Sequence, residues 1–302
     1  MSYLPNFIFL ISLILGGGIF LRNILQIKRN INLGRATDRK DQISQRWKQM
    51  LRIALGQSKM GTKPLAAFLH LIVYVGFIII NIELLEIILD GLLGTHRLFA
   101  PLLGSFYNIL IASFELLALL VLVAVFFFWA RRNVIKIKRF WKAEMKGWPK
   151  YDADLILYFE VVLMSLFLCM NATDFLIQQQ DVPHFIKAGS FPVSQFLLPL
   201  FDGFALETLL ILERIFWWAH IAGILVFLNY LYYSKHLHIL LAFPNTFYAK
   251  LVPDGKFEVD QNIKNEVMLM LYPDQTEPSS QGEVPSKFGA SDVFDLQWTQ
   301  LM

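Results

Sequence analysis

The amino-acid sequence predicts an all-α membrane protein, built as a five-helix transmembrane bundle with a short polar cytoplasmic tail. Of its 302 residues, 56% are hydrophobic and only 17% are charged, which is more apolar surface than a soluble domain can bury. Five apolar runs are also long enough to cross a bilayer as helices. The single cysteine, Cys169, excludes a disulfide framework or a cysteine-ligated cluster within these residues.

The five predicted spans are bounded by residues that begin or end helices. They cover about 5–25, 64–90, 102–130, 153–177 and 207–241. Pro64 opens the second span and Pro244 stops the fifth. The first run lacks a basic leader and a small-residue cleavage site, so it is interpreted as a retained helix rather than a signal peptide.

Charge predicts the orientation in the membrane. Nearly all Lys and Arg residues lie in the loops between spans 1 and 2 and between spans 3 and 4. The positive-inside rule therefore places the amino terminus outside and the carboxyl terminus in the cytoplasm, as expected for a multi-pass protein of a bacterial inner membrane. Within the first basic loop, residues 42–58 carry apolar side chains at helical spacing, which predicts an amphipathic helix on the membrane surface.

Three histidines of the predicted spans are candidate ligands. His220 and His238 are 18 residues apart (238 − 220), a whole number of helical turns, so a continuous helix would place both on one face about 27 Å apart. His70 lies near the cytoplasmic end of the second span, at the predicted depth of His238. Two histidines at equal depth on neighbouring helices meet the requirement for bis-histidine haem ligation. The alternative is that each one hydrogen-bonds a neighbouring helix.

Two stretches resemble a known family. They are Pro64–Phe77, PLAAFLHLIVYVGF, and the Ser234–His238 step SKHLH with the following Pro244-Asn245. Together they resemble the membrane cytochrome b of the heterodisulfide-reductase type, which is related to the gamma subunit of respiratory nitrate reductase. The resemblance covers about 5–247 and implies five spans with the amino terminus outside.

The resemblance also implies a ligand set. His70 and His238 match the pair that holds a haem b on the cytoplasmic side, and His220 matches one ligand of a second, outer haem. The other outer ligand would fall at Ile80, which cannot bind iron. Its neighbour Asn81 is not a usual iron ligand either, and Met170 is a conceivable substitute, so the second haem stays open.

Residues 248–302 are predicted to be a cytoplasmic linker that follows the membrane domain, 1–247. They contain a Pro-rich stretch and end in Asp292–Met302, which resembles the start of an amphipathic helix. In fused bacterial iron–sulfur oxidoreductases of this group, a similar linker precedes a ferredoxin module. We therefore expect 4Fe-4S clusters outside these residues, on a continuation of the chain past Met302 or on a partner subunit.

The predicted function is an electron-transfer module, the membrane part of an oxidoreductase. Through b-type haem it would pass electrons between the quinone pool and a cytoplasmic iron–sulfur oxidoreductase. Its expected partners are the lipid bilayer, a quinone and the iron–sulfur domain or subunit, and no nucleic acid. The alternative is a haem-free anchor or a transporter subunit.

Three other polar residues have two interpretations each. Glu83 and Glu86 either reach the membrane interface or belong to a quinone-linked proton path. His236 is placed at the surface or near a quinone. His96 and His184 are expected to be solvated in outer loops.

Overall fold

The computed structural model describes residues 3–252, 261–272 and 290–302. Five of its helices are long and apolar enough to span a membrane, which confirms the five predicted spans. They are α1 (Leu4–Ile31), α3 (Pro64–Leu93), α5 (Ser105–Asn133), α6 (Trp148–Gln178) and α7 (Leu206–Tyr230). The shorter helices of the described chain are α2 (Ile43–Met50), α4 (Ala100–Leu103), α8 (His238–Phe247) and α9 (Gln261–Leu271).

The fifth span ends earlier than predicted. After α7 the chain forms a 3₁₀ turn at Leu231–Tyr233, becomes extended at Ser234 (ψ 149°), and turns again at Lys235–Leu237 before α8 begins. The Ser234 hydroxyl accepts the His236 backbone N–H at 3.0 Å, a local bond that competes with helix continuation. His220 and His238 therefore lie on different helices, and the prediction that they share one helical face is wrong.

Proline does not stop the last apolar segment either. Pro244 lies inside α8, which continues to Phe247. The fifth span therefore ends at the bend at Ser234 and not at Pro244.

One compact unit comprises residues 3–24 and 59–238 of the described chain. In it α3 packs on α5, α5 on α6, and α6 on α7. Two glycines allow close approach: a Cβ on Gly76 would lie 2.7 Å from Val121 of α5, and one on Gly223 would lie 2.8 Å from Leu163 of α6. The small size of these glycines lets the helices pack closely.

Helix α1 lies against both α3 and α7. The Asn6 amide donates to the Gly91 carbonyl at 2.8 Å, and the Asn229 amide donates to the Gly16 carbonyl at 3.0 Å. The Phe9 ring packs 5.0 Å from the Trp217 ring. Many large apolar side chains of the long helices remain exposed, as expected where helices face lipid.

The second compact unit comprises the described parts of 25–58 and 239–302. It contains α2, which continues as a π-helical turn at Leu51–Leu55 and confirms a helix within 42–58. Ile43, Trp47, Leu51 and Leu55 are exposed along it. The Arg46 guanidinium, 1% exposed, donates to Asp41 Oδ1 at 2.6 Å and to the carbonyls of Phe247 and Ala249.

The segment Asp292–Met302 does not form the predicted helix. It contains two 3₁₀ turns, Val293–Asp295 and Trp298–Gln300, with Leu296 and Gln297 extended between them. The extended part lies beside Arg35, whose N–H donates to the Leu296 carbonyl at 2.7 Å, and Trp298 Nε1 donates to the Thr37 carbonyl at 3.0 Å. The Pro-rich stretch with Pro273, Pro278 and Pro285 lies outside the described residues.

Candidate functional site

Three histidines gather at one end of the bundle, where α3 begins and α7 has ended. This histidine cluster consists of His70, His236 and His238. The rings of His236 and His238 are 5.5 Å apart. Burial, and after it the neighbouring His238, lower the pKa of His236 to about 4, with a smaller contribution from His70. The structure thus brings the predicted pair together and adds His236, which is part-buried rather than at the surface.

The cluster has the donor set of a bis-histidine site. His238 Nδ1 lies 3.0 Å from the Lys235 carbonyl, which fixes the ring and leaves Nε2 for a ligand. His236 Nδ1 is buried with no hydrogen-bond partner among the described residues. No group of three or more His, Cys, Asp or Glu side chains in the described chain could hold a bare metal ion. Haem iron needs only two protein ligands, so these residues fit a b-type haem.

The start of α6 holds the turn that presents these histidines. Asp152 is buried and accepts the Tyr230 hydroxyl at 2.6 Å and the Lys235 N–H at 3.3 Å. Lys235 Nζ also donates to the Pro149 carbonyl at 2.8 Å. The side chain of Asp152 therefore joins the end of α7 to the Lys235–Leu237 turn.

This geometry makes Asp152 a positioning residue. We expect Asp152→Ala to free the turn and to weaken binding of the predicted haem about 10- to 100-fold, the range found for groups that orient ligands. Asp152→Asn, which keeps one acceptor oxygen, should bind haem more tightly than Asp152→Ala. Haem content measured by titration into purified apoprotein tests this. Haem affinity unchanged in Asp152→Ala, with the protein folded, would contradict the assigned role.

His220 lies elsewhere, at a small central cavity of about 100 Å³ between α3, α5, α6 and α7. It is 4% exposed, and its Nδ1 lies 3.0 Å from the Leu163 carbonyl. Asn81, Glu83 and Glu160 supply the other polar side chains of the cavity lining. No second histidine lines this cavity, and Met170 lines a different pocket.

The cavity around His220 is also small for a cofactor. Its volume corresponds to about three waters at ~30 Å³ each, whereas cofactor sites typically measure ~300–1,000 Å³. The residues here do not fit a second haem without separation of the helices. The role of His220 as a haem ligand stays a prediction.

A larger pocket of about 610 Å³ lies at the opposite end of the bundle from the histidine cluster. We call it the outer pocket after the predicted orientation, which would place it on the outer side of the membrane. Phe9, Trp217 and Trp218 line it together with many charged and polar groups. Among these are Glu83, Glu86, Asp90, His96, Arg97, Asp174, His184, Glu213 and Arg214.

Buried Arg97 organises the wall of the outer pocket. Its guanidinium donates to Asp174 Oδ2 at 2.5 and 2.8 Å, to Asn171 Oδ1 at 3.2 Å and to the Tyr107 hydroxyl at 3.2 Å. Burial alone would lower the pKa of Arg97, but the Asp174 carboxylate raises it well above its usual value. Arg97 is therefore a permanent buried cation.

The same network changes the interpretation of two predicted residues. His96 is mostly buried rather than solvated, because its Nε2 bonds Asp174 Oδ1 at 3.0 Å and its Nδ1 accepts the Ile186 N–H at 3.0 Å. Glu86 does not reach solvent, since it accepts the Tyr107 hydroxyl at 2.8 Å and the Phe99 N–H at 2.7 Å. His184 is exposed, as expected.

Sequence reasoning missed Arg97, Tyr107, Asn171 and Asp174. Their contacts join positions 74–77 residues apart, or cross from a loop to a helix, and no spacing pattern reveals them. One signal was present: Arg97 is an arginine in a loop predicted to lie outside, where the positive-inside rule expects few cations.

Comparison with known proteins points to oxidoreductases. The chain is 24% identical over 267 residues to a probable iron–sulfur-binding oxidoreductase FadF of Bacillus subtilis, covering 87% of this chain and 33% of that protein. It is also 24% identical over 270 residues to the EtfAB:quinone oxidoreductase of Syntrophomonas wolfei, with the same coverages. The chain thus spans about a third of the length of these relatives. No protein-family model and no solved structure matches it.

Proposed function

We propose that this chain is the membrane electron-transfer module of a quinone-linked iron–sulfur oxidoreductase, working through b-type haem. The observation that carries the proposal is the gathering of His70, His236 and His238 at one end of an apolar helical bundle. One relative is named for a quinone and the other for iron–sulfur binding, which supports both ends of the electron path.

The histidine cluster would hold the haem through His70 and His238. A bound haem supplies one-electron redox chemistry that side chains lack. His238 offers Nε2 because its Nδ1 is committed to the Lys235 carbonyl, and Asp152 keeps the turn in place. The resemblance to the heterodisulfide-reductase type of cytochrome b assigns the same two histidines.

The outer pocket suits the quinone. Its volume of about 610 Å³ is in the range of small-molecule sites, and Phe9, Trp217 and Trp218 contribute apolar aromatic groups to its lining. Carboxylates and histidines at its wall can accept or return protons when a quinone changes oxidation state.

Iron–sulfur clusters belong outside these 302 residues in this proposal, because Cys169 is the single cysteine. The iron–sulfur-binding relative is about three times as long as the matched region, so it has room for such a domain. A cluster-binding continuation or partner subunit would exchange electrons with the cytoplasmic side.

The proposal is tested by adding a short-chain naphthoquinol to the purified protein. We expect the quinol to reduce a b-type haem spectrum. A haem-free anchor or transporter would give no such spectrum.

The proposed topology places residues 26–63, 131–152 and 245–302 in the cytoplasm of a bacterial cell. We test it with single cysteines in a Cys169→Ser background. Arg139→Cys should react with a membrane-impermeant maleimide only after the inner membrane is opened, because its segment is rich in basic residues. Gln180→Cys, exposed after α6, should react in intact spheroplasts. The reverse labelling pattern would contradict the orientation.

A further inference from the structure

Glu83 lies between the outer pocket and the central cavity and lines both. It is 3% exposed, and its Oε2 is buried with no hydrogen-bond partner among the described residues. One turn further along α3, Glu86 is fully engaged by Tyr107 and Phe99. Glu83 thus joins two spaces and retains an unused oxygen.

The unused oxygen sets Glu83 apart from the other buried acids of the described chain. Those acids all have hydrogen-bond or ion-pair partners: Glu86, Glu115, Asp152, Asp154, Asp174 and Glu213. A buried polar oxygen without a partner costs about 1–3 kcal/mol, so folding alone would not favour a glutamate here. The free Oε2 of Glu83 is available to bind and release a proton.

A proton-accepting group lies on the far side of Glu83. The carboxyl group of Glu160 lines the central cavity and can take a proton. The cavity has room for about three waters at ~30 Å³ each, enough to bridge short gaps between these groups.

We propose that Glu83 transfers protons between a quinone in the outer pocket and the central cavity. This rests on the proposed function for the quinone and its acceptor. When a quinol is oxidised, its two O–H bonds break and two electrons leave one at a time, through the proposed haem to the iron–sulfur acceptor. One proton leaves past exposed Tyr3 and His184 at the pocket mouth. The other binds Glu83 Oε2, is shared with Glu160 across the central cavity, and leaves by the same pocket before the next turnover. Quinone reduction reverses these transfers.

The test uses Glu83→Gln, which keeps the size of the side chain but carries no acidic proton. We expect kcat for naphthoquinol oxidation by a one-electron dye to fall about 100-fold, the lower end of what proton transfer by a side chain contributes. KM and haem content should stay at parental values. Glu83→Asp should recover much of the rate. Glu207→Gln, an exposed acid at the start of α7, is the matched control and should change nothing.

A second readout separates proton transfer from packing. The redox-induced infrared difference spectrum of the parent should contain a carboxylic-acid C=O band that Glu83→Gln lacks. A parental kcat in Glu83→Gln, with that band retained, would overturn the proton-transfer role and leave the proposed function intact. A parent protein that oxidises no quinol would contradict the proposed function, and this inference with it.

Discussion

In the His70→Ala and His238→Ala variants we expect the b-type haem spectrum to be lost. Each variant leaves the iron with one axial imidazole, and a bis-histidine haem that loses a ligand loses both affinity and its low-spin spectrum. His238 Nδ1 is hydrogen-bonded to the Lys235 carbonyl. The ring therefore cannot take a second orientation without breaking that bond. The measurement is the reduced-minus-oxidised visible spectrum of each purified variant, normalised to protein.

His236→Ala is the matched control for this pair. It removes a ring that packs 5.5 Å from the His238 ring and leaves both predicted ligands, His70 and His238, in place. We expect it to keep the haem, since the resemblance assigns His238 rather than His236. Loss of the spectrum in His236→Ala together with its retention in His238→Ala would show that the ligands are His70 and His236.

Of the variants proposed here, we expect Arg97→Ala to lose the most stability. The substitution leaves the Asp174 carboxylate buried without its main cation, and removal of one partner of a buried pair typically costs ~3–5 kcal/mol. Asn171 and Tyr107 lose a donor as well. Thermal unfolding in detergent, followed by circular dichroism, should show a lower midpoint than the parent.

Lys142→Ala provides the control for that experiment. Lys142 pairs with Glu144 at 4.0 Å, and both side chains are more than 60% exposed. Exposed pairs of this kind contribute ~0–1 kcal/mol, so the midpoint should hardly move. An Arg97→Ala midpoint equal to that of Lys142→Ala would show that the Arg97 network does not stabilise the fold.

The five spans were predictable because helix length and apolarity depend on local sequence. The bend after α7 was not, because it depends on Ser234, whose hydroxyl bonds the backbone, and on Asp152 from another helix. The residues on both sides of Ser234 are mostly apolar or aromatic, so the sequence pattern does not reveal the end of the helix there. Because the fifth span was predicted as one continuous helix, the prediction that His220 and His238 share a helical face was wrong. The predicted pairing of His70 with His238 did not depend on a continuous helix.

The candidate site was predictable to a different extent at each end of the bundle. His70 and His238 carry a recognisable motif, whereas the outer pocket is assembled from a loop arginine, a helix aspartate and aromatic residues of two helices. The proposed role of Glu83 likewise follows from its position between the outer pocket and the central cavity. Its sequence context is shared with Glu86, and only the structure separates the partnered acid from the unpartnered one.

We propose that the histidine cluster, His70, His236 and His238, holds a b-type haem. The most direct measurement is the dithionite-reduced minus oxidised visible spectrum of the purified protein, with haem quantified against protein. We predict a low-spin b-type spectrum with at least one haem per chain, which disappears in His70→Ala. A protein that is folded and helical yet shows no haem spectrum after expression with ample haem would contradict the account.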